Sequence, residues 1–142
     1  MTMKKPAWMP QNAGAEGRAR EAGIPFEAAT VDEMVRVQAE RGPNRRAYLF
    51  LDDGEVEGPS YTCAQLDLRA RAIAAHLRDT CAPGDRALLV YPPGLDYMAT
   101  FLGCLYAGVV AVPVYPPDHG RLNRSLPRLK VIANNADTHI AL

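Results

Sequence analysis

Side chains that attack, ligate or relay protons do so in partnership, and this 142-residue chain places few of them together. It has two serines, Ser60 and Ser125, and neither lies in a G-x-S-x-G elbow of the kind that exposes a nucleophile at a strand-to-helix turn. Both read as turn or cap residues. Cys63, Cys81 and Cys104 are odd in number and form no C-x-x-C pair, which argues against a disulfide framework or a zinc site and suits a reducing, cytoplasmic setting. Cys104 falls in an apolar helix and reads as an inert core thiol. His76, His119 and His139 are too far apart to form a helical H-x-x-x-H metal pair. Asp52 and Asp53 are adjacent and belong to a turn, so they make no acid–base pair. No G-x-x-x-x-G-K-[ST] or G-x-G-x-x-G loop is present to cradle phosphates. These residues assemble no catalytic, metal or nucleotide site of their own.

The elements that position side chains are easier to read. Acidic and basic residues balance at 16 each, so no global field favours nucleic acid or an anionic membrane. The chain is 48% apolar and 23% charged, ordinary globular material of about one domain. Residues 1–28 mix Pro, Gly, Ala and charge without periodicity and read as a flexible arm, with Trp8 and Met9 as points where it would dock on the body. The opening has no apolar h-region and so is no secretory signal. The body is expected over residues 29–142. "TVDE" at 30–33 is a capping box opening a helix that Gly42-Pro43 ends. "RAYLFLDDG" predicts a strand over 47–51 turning at Asp53-Gly54, with a return strand through Gly58 to Tyr61. "TCAQ" at 62–65 is a second capping box, followed by a helix whose buried stripe is Leu66, Ala70, Ile73 and Leu77, with Asp67, Arg69, Arg71 and Arg78 mostly on the other side.

After Pro83-Gly84-Asp85 the run "RALLVY" reads as a strand covered on both faces. Val-Tyr-Pro-Pro then occurs at 90–93 and again at 114–117. Between the copies lie a helix from about Leu95, closed by Gly108, and a second buried strand, "VVAVPVY". The helix is apolar on one face through Leu95, Met98, Leu102, Leu105 and Tyr106, and on the other through Tyr97, Phe101 and Cys104. Pro92-Pro93, Asp96, Gly108 and Pro113 interrupt the apolar run too often for a membrane span, which needs about 20 residues. The unit is therefore βαβ, parallel and right-handed, with both tetrapeptides at the carboxyl ends of their strands, where open α/β sheets bind ligands. The first copy reads as a strand stop and helix start. Beyond Pro117, Ser125 is expected to cap a helix tolerating Pro127, with Leu126, Leu129, Ile132 and Ala133 facing the sheet. "THIAL" reads as a further strand in which the chain stops, which suggests truncation. The fold class is α/β: βαβ units, a mainly parallel sheet and flanking helices.

"SYTCAQLDLRARAIAAHL" resembles the early L-[TS]-Y-x-E-L motif of adenylate-forming enzymes, and "LYAGVVAVPVYPP" their L-x-A-G-x-x-x-V-P motif. The strings YPPGLD, LGCLYAG, VPVYPP and RSLPRL are similar to those of the fatty acyl-AMP ligases in particular. The likeness runs from about Thr30 to Leu142, with Gln65 where Glu is usual and Ser60 where Leu is usual. It implies the incomplete amino-terminal part of a large adenylation domain. The parent enzyme would use ATP and magnesium to join a fatty acid to AMP, then pass the acyl group to the phosphopantetheine of an acyl carrier protein, often for polyketide assembly. It would make poor use of coenzyme A. The family's ATP, magnesium and lysine contacts lie downstream, so the chain alone is expected to be inactive. An acyl-CoA synthetase, a peptide-synthetase adenylation domain, and a non-catalytic remnant that binds a carrier or partner protein are the alternatives. The resemblance also implies an acceptor-side loop at Tyr115, Pro116 and Pro117, with Arg121, Arg124 and Arg128 in the helix that follows. There the rigid prolines would obstruct coenzyme A, and the guanidiniums would meet a carrier's acidic surface or its phosphate. Sheet surface left uncovered predicts self-association.

Overall fold

The computed structural model describes residues 28–142, so the expected arm and the docking of Trp8 and Met9 lie outside the described residues. Helix α1 (Val31–Arg41) begins at Thr30, whose hydroxyl accepts from the Glu33 amide at 3.3 Å. The expected capping box is only half formed, because the Glu33 carboxylate accepts from Ala29 N at 2.9 Å and overshoots the Thr30 amide by one residue. Strands β1 (Arg46–Asp52) and β2 (Val56–Thr62) pair antiparallel. Their turn holds Asp53 at φ 53° and Gly54 at φ 80°, and positive φ at both central residues is what a tight hairpin of this hand requires.

Thr62 then opens helix α2 (Cys63–Arg78) with a complete capping box. Its hydroxyl accepts from Gln65 N at 3.2 Å, and Gln65 Oε1 accepts from Thr62 N at 3.0 Å. Gln65 thus completes the cap by itself accepting the Thr62 amide. Strand β3 (Arg86–Val90), helix α3 (Leu95–Ala107) and strand β4 (Val110–Val114) form the expected βαβ unit. Gly108 ends α3 at φ 73°, a left-handed position that suits glycine. A 3-10 turn (His119–Arg121), helix α4 (Leu122–Ala136) and the short strand β5 (Ile140–Ala141) complete the described chain. The sheet order is β4-β3-β5, with both pairings parallel.

Two linked apolar clusters form the core. Ala74 and Leu77 of α2 meet Ala87 and Leu89 of β3, Cys104 and Ala107 of α3, and Val109. Leu66 and Ala70 of α2 meet Ala99 and Leu102 of α3 nearer the hairpin. The two helices approach closely where α3 carries Gly103: a Cβ there would lie 2.6 Å from Ile73 Cγ2. Asp67 departs from the expected polar side of α2, being buried at 7% exposure. Its carboxylate is compensated inside the fold by Tyr106 and Arg71. Burial first, and the bond to Asp67 second, hold the Tyr106 phenol well above its ordinary pKa.

Three further expectations are corrected. Strand β4 is not the buried strand expected, since none of Val110–Val114 is fully buried and Val110 is 49% exposed. Ser125 does not cap α4. The chain turns earlier, at Asp118, whose carboxylate accepts from Gly120 N at 2.9 Å, and Ser125 instead donates to Arg121 O one turn back. Helix α4 buries none of its residues: Leu129, Ile132 and Ala133 are half-buried and Leu126 remains exposed.

Candidate functional site

The register of β3 and β4 sets the geometry. Val90 lies opposite Val114, so the two Val-Tyr-Pro-Pro copies leave the same sheet edge side by side. After the first copy the chain runs through Gly94 into α3, with Asp96 in its first turn, where a carboxylate complements the helix dipole. After the second copy it runs along the edge to the turn at Asp118 and then into α4.

All six residues assigned to the acceptor side come together there. Tyr115, Pro116 and Pro117 form one wall of a cleft of about 660 Å³, and Arg121, Arg124 and Arg128 line the other. Arg124 and Arg128, four residues apart, share one side of α4, whereas Arg121, expected in that helix, stands just before it at the end of the 3-10 turn with a non-helical φ of −139°. Leu129, Ile132, Pro113 and Val114 also line the cleft. The ion pairs of the described residues join Arg36 to Asp32, Arg46 to Glu57, Arg71 to Asp67, Arg86 to Asp137 and His139 to Asp85, and none involves these three arginines. The one carboxylate on the cleft, Asp118, is held by the Gly120 amide. Three guanidiniums without a carboxylate partner among the described residues, beside a rigid Tyr-Pro-Pro wall, suit a phosphate or carboxylate ligand.

A second hollow was not foreseen. On the hairpin side of Tyr115, β1 residues Tyr48 and Phe50, Tyr91 and Pro93 of the first copy, and Tyr97 and Met98 of α3 enclose a groove of about 480 Å³. The first copy therefore does more than stop a strand, since it walls this groove. Its identity with the second copy was the available signal, but only the parallel register shows that the two face the same space. Among the described residues no group of three or more His, Cys, Asp or Glu could hold a metal ion, and no helix is long and apolar enough to cross a membrane. Cys104 is fully buried, and desolvation, with Cys81 nearby, pushes its thiol pKa up to about 11, as its reading as a core thiol requires.

The family model described as AMP-binding enzyme matches residues 35–142. The chain belongs to the AMP-binding enzyme family. Among its relatives, the medium-chain-fatty-acid–[acyl-carrier-protein] ligase JamA of Moorena producens (strain JHB) is 44% identical over 116 residues, covering 82% of this chain and 20% of the relative. Disco-interacting protein 2 of Drosophila melanogaster is 31% identical over 137 residues, covering 92% of this chain and 8% of the relative. The crystal structure of the fatty acid AMP ligase from Legionella pneumophila superposes with a TM-score of 0.69 at 42% identity, covering 78% of this chain and 18% of that one. The α/β class and the likeness to fatty acyl-AMP ligases read from the motifs are both borne out. The chain spans a fifth or less of the length of these relatives.

Proposed function

We propose that the chain serves as part of a fatty acyl-AMP ligase. In such an enzyme a fatty carboxylate attacks the α-phosphorus of ATP, with magnesium present, and pyrophosphate leaves. The phosphopantetheine thiol of a carrier protein then attacks the acyl carbon, and AMP leaves. The observation that carries this reading is the 44% identity with a fatty-acid–carrier-protein ligase over 82% of the chain. The cleft supports the acceptor half of the reaction: Tyr115, Pro116 and Pro117 would narrow the approach to coenzyme A, while Arg121, Arg124 and Arg128 would receive a phosphate or an acidic carrier surface. The described residues offer neither a glycine-rich phosphate loop nor a cluster of metal donors, so ATP and magnesium find no fitting site in them. No adenylation step is assigned to this chain's side chains, and the chain alone is expected to be inactive.

The test has two arms. The chain incubated with ATP, magnesium and decanoate is expected to release no pyrophosphate. Residues 30–142, grafted in place of the matching segment of the Legionella ligase, should give an enzyme that adenylates a fatty acid and acylates a holo carrier protein. A folded chimaera that does neither, or an isolated chain that adenylates, would overturn the proposal.

A second reading, a binding module without catalysis, is favoured by the match to a relative named for an interaction, Disco-interacting protein 2. It requires the isolated chain to retain a holo carrier protein in a pull-down, with Arg124 and Arg128 necessary for retention. Self-association through uncovered sheet surface belongs with either reading. A monomer at every concentration in light scattering would remove it.

A further inference from the structure

Helices α2 and α3 open beside the end of β3 into a third hollow, of about 450 Å³. Arg69 and His76, two turns apart on one side of α2, face Asp96 and Thr100, one turn apart on α3. Arg69, His76 and Asp96 are exposed, whereas Thr100 is only 3% exposed. None of the four side chains has a hydrogen-bond or ion-pair partner among the described residues. A buried hydroxyl ordinarily finds a partner. Among the described residues, Gln38 Nε2 is the one side-chain polar atom both sealed from solvent and unpartnered. The Thr100 hydroxyl is therefore not sealed, and it opens to the hollow that Thr100 lines.

We propose that this hollow binds a free amino acid with an apolar side chain. Its carboxylate meets Arg69 and His76, and its ammonium meets Asp96 and the Thr100 hydroxyl. Its side chain lies against Ile73, Tyr91 and Leu142, which supply apolar lining. The lining offers one fixed cation and one fixed anion that do not pair with each other, so a ligand of single charge satisfies one and leaves the other idle. A guanidinium fork takes a carboxylate with two parallel donors, and a hydroxyl oxygen accepts from an ammonium. An uncharged apolar molecule would leave the Thr100 hydroxyl unsatisfied and covered, which is costly. The hollow shares no lining residue with the cleft of Arg121, Arg124 and Arg128. The proposal needs neither ATP nor a carrier protein, so its failure leaves the ligase reading standing, and the reverse holds too.

Titration calorimetry on the 142-residue chain tests it with three probes of one skeleton: leucine, isocaproate, which lacks the ammonium, and isoamylamine, which lacks the carboxylate. Leucine should saturate one site per chain, roughly tenfold or more tighter than either analogue, because each analogue forfeits one charge-assisted contact. Asp96→Asn should lose about that factor for leucine and nothing for isocaproate. Arg69→Gln should lose about as much for leucine and nothing for isoamylamine. Both substitutions fall at exposed positions, and circular dichroism checks that the variants fold. Thr100→Val keeps the side chain's shape and removes a hydroxyl that bonds to nothing in the fold. It should weaken leucine several-fold while the urea midpoint falls no lower than that of the wild type. Equal affinity for the three probes, no saturable leucine binding, or wild-type affinity in any of the three variants would overturn the proposal. So would a lowered urea midpoint in Thr100→Val, since the hydroxyl would then serve the fold and not a ligand.

Discussion

The phenol of Tyr106 on α3 donates a 2.8 Å hydrogen bond to Oδ1 of Asp67 on α2, whose Oδ2 pairs with Arg71 at 2.7 Å. The guanidinium of Arg36 on α1 lies over the same phenol ring, 5.7 Å from its centroid, so one side chain ties three helices together. Tyr106→Phe keeps the ring and deletes the bond, leaving the buried carboxylate one donor short. The expected loss is about 1–3 kcal/mol, read as a lower urea midpoint at unchanged m-value.

The same bond has a signature in alkali. Burial and Asp67 raise the Tyr106 phenol above its ordinary value of 10.0, so the unfolded chain gives up this proton at lower pH than the folded one. Its contribution to stability is therefore complete below about pH 10 and falls as the pH rises beyond that. Between pH 9 and 11 the wild-type chain should lose more stability than Tyr106→Phe does. Parallel curves for the two proteins would contradict the assignment.

Gly103 predicts a packing effect. A methyl group there would meet Ile73 Cγ2 at 2.6 Å and Ile73 Cβ at 2.7 Å, and Ala70 O at 3.3 Å closes the remaining side. Gly103→Ala should destabilise by about 1–3 kcal/mol through overpacking, despite the better helix propensity of alanine. Ile73→Ala in the same chain should recover part of the loss, a coupling that a double-mutant cycle measures.

The three thiols should separate by access. Cys63 and Cys104 are buried and Cys81 is half-exposed. At pH 8 a thiol reagent should label one site per native chain rapidly, and Cys81→Ser should abolish it. Cys104 has a thiol pKa pushed to about 11, so it should react only on unfolding.

The proline pair predicts an effect on acceptor choice. In an active chimaera carrying this segment, Pro116→Gly/Pro117→Gly should raise coenzyme A thioester formation several-fold while pyrophosphate release in the adenylation half-reaction stays unchanged. Unaltered rejection of coenzyme A would remove the obstructive role proposed for the loop.

Local signals were legible where the chain settles its own backbone. Thr62 and Gln65 mark the start of α2 because both partners of the reciprocal cap lie within one turn. The apolar run 86–90, the proline break and Gly108 delimit the βαβ unit for similar reasons. Ser125 misled because a nearer competitor, Asp118, captures the turn first. Asp67 misled because its partner Tyr106 lies 39 residues away, beyond the reach of any helical periodicity. Tyr115, Pro116, Pro117, Arg121, Arg124 and Arg128, which line one cleft, follow one another closely in the chain, so a local motif could group them. The aromatic groove draws on β1, the end of β3 and α3 together, and only the tertiary fold brings Tyr48 beside Tyr97.

Pro113 gives the sheet a one-way habit of growth. The Val110 amide donates inward to Asp85 O, so alternation along β4 turns the Val112 and Val114 amides toward β3 and the Ala111 and Pro113 positions outward. A strand arriving on that flank would find no N–H at Pro113, near the end of a five-residue template. Lateral addition, whether by a neighbouring segment or another molecule, is thereby steered to the β5 flank. The sheet can lengthen away from the Tyr-Pro-Pro edge without ever being capped beside it.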